Sequence, residues 1–119
     1  MPGNTVDESF AGHPPSYRVI YDTLIEHLQR LGRVEEDAVR VGVFLSHERK
    51  FAEVRPMARS LAMWLMLPYL IDSPRVSRAE RISADRFAHY LKLTSVDDVD
   101  EELLGWLEDA YEHASLPAR

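Results

Sequence analysis

The sequence predicts an α+β domain. An N-terminal helix, an about four-stranded, mainly antiparallel sheet and a C-terminal helix follow one another, with both helices on one face of a two-layer sandwich. Three observations carry this reading: a helical apolar period near the start, a run of segments alternating every second residue in the middle, and a second helical period at the end. Strands that follow one another without an intervening helix favour antiparallel pairing with the helices segregated to one side.

Residues 1–13 combine Gly, Pro, Asn and Asp with no hydrophobic period, and read as a flexible leader. The domain is expected over 14–115, with 116–119 as a tail. Pro14 and Pro15 suit the opening turn of a helix. Tyr17, Ile20, Tyr21, Leu24, Leu28 and Leu31 then recur at steps of three and four, and Gly32 is placed to stop the helix. From Val39 the period becomes two, with Val39, Val41, Val43 and Leu45 on one side and Arg40, Gly42, Phe44 and Ser46 on the other. "KFAEVRP" continues as a second strand after a polar turn near His47. "SLAMWLML" suits helix or strand by composition. Its shortness and its bounding by Pro56 and Pro68 favour a central strand. "DSPRVSRAERIS" reads as a loop, and "RFAHYLKLT" as a fourth strand. Ser95 and Asp98 form a capping box ahead of a last helix carrying Val99, Leu103, Trp106, Leu107, Ala110, Tyr111 and Ala114.

The segments "HPPSYRVIYDTLIEHLQRLG", "KFAEVRP", "SPRV" and "HYLKLTSVDDVDEELLGWLEDAYEHA" resemble a small bacterial family, domain of unknown function number 5655. The resemblance runs from about His13 to Ala114, and the closing segment is its most specific part. Arg40 and Val41 stand where family members usually carry a Lys-Thr pair. The resemblance implies a compact bacterial domain and assigns no reaction.

The charge is unevenly spread. The chain has a net charge of −6, yet residues 40–92 hold ten basic and five acidic side chains, while 93–119 hold one basic and eight acidic. Alternation places the cations beside aromatic rings. With Ala52 and Val54 toward the helices, Arg49, Phe51, Glu53 and Arg55 point away, joined on neighbouring strands by Arg40, Phe44, Trp64, Arg86, Tyr90 and Lys92. Such a face can seat a second copy of the chain or a protein partner. Alternatively it can stack planar rings while its arginines neutralise an anionic ligand or nucleic acid. Its simplest role is a solvated sheet face. The sequence reading favours a non-enzymatic binding or interaction domain using this face for self-association or partner binding. Anion or nucleic-acid binding at the same face is the first alternative.

Other chemistry finds less support. The chain has no cysteine, which removes disulfides, thiol nucleophiles and cysteine zinc sites. His89 falls among core-facing residues, where a histidine is usually a hydrogen-bonded interior group; an enzyme built on it is the second alternative. His47 lies at a turn beside Glu48, and no H-x-x-x-H spacing supports a metal pair. Asp97, Asp98, Asp100, Glu101 and Glu102 are explained by helix capping before any cation site. No phosphate loop, nucleophile elbow or calcium loop occurs, so neither cofactor nor metal is expected. The N-terminus has no apolar signal core, and the run from Leu61 to Ile71 is broken by Pro68 and falls short of the ~20 residues that span a bilayer. A cytoplasmic protein without membrane partners is the expectation.

Overall fold

A computed structural model describes residues 4–115. The elements run α1 (Val6–Phe10), α2 (Pro15–Leu31), β1 (Glu35–Val39), β2 (Gly42–His47), β3 (Arg49–Pro56), β4 (Leu61–Leu67), β5 (Val76–Ser83) and β6 (Arg86–Leu93). A 3-10 turn (Val96–Asp98) then leads into α3 (Glu101–Ala114). The sheet has six strands in the order β1-β2-β3-β4-β6-β5, and every pairing is antiparallel. No helix of the described residues is long and apolar enough to cross a membrane.

Six strands correct the expected four, and both additions are edges. β1 is the acidic run "EEDAV", and β5 leaves seven of its eight residues exposed. An edge strand with little to bury carries no hydrophobic alternation, and charge on it discourages pairing with other chains. The expected strand through Val39–Ser46 is split as well. Arg40 and Val41 form the turn between β1 and β2, so Arg40 leaves the outward face and Val41 is 47% exposed. Gly42 restarts the chain where a Cβ would stand 2.5 Å from the Val54 carbonyl oxygen, so β2 can approach β3 only with glycine there.

Part of the expected leader is also structured. Thr5 and Glu8 form a capping box on α1, and the Ser9 hydroxyl donates to the carbonyls of Val39 (2.7 Å) and Gly42 (3.1 Å). Phe10 packs at 5.1 Å from the Tyr21 ring and is buried. Residues 1–3 and the expected tail, 116–119, lie outside the described residues.

One core lies between helices and sheet. Ile20, Leu24 and Leu28 of α2 and Leu103, Leu107 and Ala110 of α3 meet Val43, Leu45, Ala52, Val54, Leu61, Met63, Leu65, Leu91 and Leu93. Each fully buried aliphatic side chain contributes about 1.5–3 kcal/mol, which fixes the strand faces more firmly than any polar contact on the outer side. α3 starts later than expected. The Ser95/Asp98 capping box is present but closes the 3-10 turn, and Asp100 caps the helix by accepting from the Leu103 amide at 3.0 Å.

The β2–β3 pairing holds a bulge. Leu45 faces Ala52, but Ser46 faces Lys50, which leaves Phe51 as the unpaired extra residue. Glu48, at φ 67°, makes the tight link between the strands. Because of the bulge Phe51 turns inward, 1% exposed, with its ring 5.7 Å and edge-on from Tyr111 of α3. Arg49 also turns inward. Its guanidinium donates to the His113 carbonyl (2.7 Å) and the Ala114 carbonyl (3.4 Å), opposite the negative end of the α3 dipole. The expectation that Phe51 and Arg49 share the outward face is therefore overturned by one inserted residue.

His89 is a core latch. It is fully buried, its Nε2 accepts from the Ile71 amide (3.0 Å), and its Nδ1–H donates to the Phe87 carbonyl (3.0 Å). The imidazole thereby ties the segment after β4 to β6. Burial holds its pKa below the ordinary histidine value.

Two outcomes follow for equilibrium denaturation. Phe51→Ala should cost about 3–5 kcal/mol, whereas Ile82→Ala on exposed β5 should stay within about 0.5 kcal/mol; equal losses would contradict the bulge. The unfolded chain protonates His89 at higher pH than the folded chain, so stability is fully present above about pH 6.5 and falls as pH drops below it. His89→Gln should be less stable at pH 7.5 and should lose part of that slope. An unchanged slope would contradict the latch.

Candidate functional site

The sheet face turned away from the helices is set by register. Cross-strand pairs align Phe44, Glu53, Trp64, Tyr90 and Arg78 in one row, on β2, β3, β4, β6 and β5. The next row aligns Arg55, Ala62 and Lys92. Two strand spacings separate the Cα atoms of Arg55 and Lys92 by roughly 10 Å, and the two rows lie roughly 7 Å apart. The small side chain of Ala62 between two long cationic ones leaves a hollow. This open groove of about 450 Å³ is lined by Glu53, Arg55, Ala62, Trp64, Tyr90 and Lys92, with Met57 and Ser77 at its rim.

The aromatic rings of this face are not equivalent. The Lys50 ammonium sits 4.1 Å from the Phe44 ring centre, and the Arg78 guanidinium 4.2 Å from that of Tyr90. Among the described residues no aromatic or cationic side chain covers Trp64, which stands between them in the same row. Arg55 is about half exposed and donates to Glu53 at 3.2 Å, while the Glu53 side chain is only 19% exposed. Lys92 is exposed and makes no ion pair among the described residues.

Of the nine cationic and aromatic residues expected on one surface, Arg55, Trp64, Tyr90 and Lys92 line the groove. Phe44 shares their face but lies beyond Glu53. Arg40 is in the β1–β2 turn, and Arg49 and Phe51 belong to the α3 side. Arg86, at the start of β6, borders a narrow cleft with Lys50, Met66 and His113 at the other end of the sheet. Glu53, also expected to point outward, lies in the groove with them, and Ala62, two residues before Trp64 on the same face of β4, completes it. Arg78 and Ser77 gave no such signal, because β5 reads as a loop.

The remaining polar clusters are accounted for by structure. Asp98 accepts from the Thr94 amide (2.8 Å) and the Ser95 amide (3.2 Å), and the bond from Thr94 leads in holding its pKa below the usual aspartate value. The Leu103 amide, then Arg75 at 2.8 Å, do the same for Asp100. Arg75 also reaches the Asp98 carbonyl and Glu102, and lies 5.7 Å from the Trp106 ring, tying the segment before β5 to α3. His47 stacks on Tyr111 at 4.1 Å, and His27 pairs with Glu108 at 2.6 Å. Among the described residues no three His, Asp or Glu side chains are placed to hold a metal ion. His89 pairs across the sheet with Leu65 and faces the core, so it takes no part in the groove.

A family model described as a domain of unknown function, DUF5655, matches residues 6–114. The match begins at the first residue of α1 and closes with the last residue of α3. No curated protein and no solved structure matches the chain. With nearly all of its folded length covered, the chain belongs to the DUF5655 family.

Proposed function

We propose that this domain is a small binding module whose groove takes an anionic ligand with a planar or apolar body. The observation that carries the reading is the placement of Arg55 and Lys92 on opposite sides of Ala62, with the half-buried Trp64 ring beside them. An anion lodged over Ala62 meets both cations at once, and the guanidinium offers it a planar pair of donors. The indole supplies apolar area and a stacking surface next to that charge. The groove's volume suits one small molecule rather than a long polymer. This is a reading of binding rather than catalysis: His89, the strongest candidate for acid-base work, has both ring nitrogens engaged on the core side.

Self-association across the same face is the second reading, favoured by Met57, 46% exposed at the groove's rim. It predicts a sedimentation mass twice that of the chain, unaffected by salt and returned to the monomer by Trp64→Glu. The ligand reading predicts a monomer in the absence of ligand.

A fluorescence titration with 1-naphthyl phosphate, an anion on a planar ring, tests the first reading. Binding should weaken as salt rises, and Arg55→Glu or Lys92→Glu should weaken it at least about tenfold while the fold is retained. Affinity unchanged in both variants would overturn the anion site.

A further inference from the structure

We infer that the ligand of this groove is a nucleoside monophosphate whose base turns an N–H edge toward Glu53, with guanine the best fit. The inference rests on the anion site between Arg55 and Lys92 and adds the part of the ligand that reaches Glu53.

Glu53 is the anomaly of the face. A carboxylate stands in the row directly beside Trp64, one row from the two cations, where a bare anion would gain nothing from it. Its side chain is largely shielded, Oε2 accepts from Arg55, and among the described residues nothing donates to Oε1. A carboxylate accepts hydrogen bonds and donates none, so the complementary ligand atom is a donor. The same ligand therefore carries an anionic group for Arg55 and Lys92 and a donor for Glu53.

The grid sets the spacing between those parts. A ring stacked on Trp64 has its centre about one strand spacing, roughly 5 Å, from the Glu53 row position, within reach of a hydrogen bond from its edge. The anion position over Ala62 lies one row away along β4, roughly 7 Å from the ring. A nucleoside monophosphate separates base and phosphate by a ribose on this scale. The α-amino acid head group, with ammonium and carboxylate on one carbon, is too compact to reach both positions. Among the described residues, Trp64 is the ring on this face that no cation covers, which makes it the stacking platform. Guanine offers two donors, N1–H and the 2-amino group, side by side on one edge, and so can engage a carboxylate with both. Adenine offers the 6-amino group beside an acceptor nitrogen, which Glu53 would repel.

Calorimetric titration of the whole chain with GMP, AMP, guanosine and inorganic phosphate tests this. GMP should bind at least about tenfold more tightly than each of the other three. Glu53→Gln should weaken GMP at least tenfold and leave AMP within about threefold, whereas Arg55→Glu should weaken both nucleotides. If GMP and AMP bind alike and Glu53→Gln changes neither, the base reading is overturned and the anion site stands. If neither the nucleotides nor 1-naphthyl phosphate binds, the anion site falls with it. A guanine tetranucleotide that binds more than tenfold tighter than GMP would overturn the single-nucleotide ligand in favour of a nucleic-acid strand.

Discussion

The two faces of this sheet depend on one constraint: side chains alternate along a strand, and a single inserted residue reverses them. Phe51 is that residue. Beyond it toward Pro56, Ala52 and Val54 enter the core while Glu53 and Arg55 face outward; before it, Arg49 faces α3 and Lys50 turns out over Phe44. The bulge thus divides β3 into a part that anchors a helix and a part that builds the groove. The Phe51 ring against Tyr111 holds the division in place, because returning that ring to the outer face would leave a cavity beneath α3.

The electrostatics follow the same partition. Acid gathers where it completes backbone bonding, at Asp98 and Asp100 ahead of α3, and on the edge strand β1. Base gathers on the outer sheet face and its borders, where Lys50 and Arg78 lie against rings and Arg55 and Lys92 flank a hollow. The overall charge of −6 is compatible with a cationic groove because side chains exposed on opposite faces are largely screened from one another beyond about 10 Å at ordinary salt.

Both long helices and the strands with one buried face were legible in the sequence, since burial forces a period on the residues. "SLAMWLML" illustrates this: helix-forming by composition, it is a strand because both its neighbours pair with it and Pro68 directly follows its last residue. β1 and β5 were not legible, because an exposed edge imposes no hydrophobic period. The short α1 was hidden by its five-residue length, although Thr5 and Glu8 carry the spacing of a capping box. Much of the groove was readable from alternation at Glu53, Arg55, Trp64, Tyr90 and Lys92. The error over Arg49 and Phe51 came from the bulge, whose insertion leaves no mark in a local pattern of apolar and polar residues. The value of Ala62 as the floor of the groove emerges only when Arg55 and Lys92 are known to flank it.

The most direct measurement of this division is the set of short proton–proton distances from nuclear Overhauser spectroscopy on the intact chain. The Phe51 ring should show contacts to Tyr111, and the Trp64 indole to Glu53 and Tyr90, with none from Trp64 to Leu103 or Leu107. Contacts from Trp64 to those leucines, together with a Phe51 ring free of Tyr111, would contradict the account.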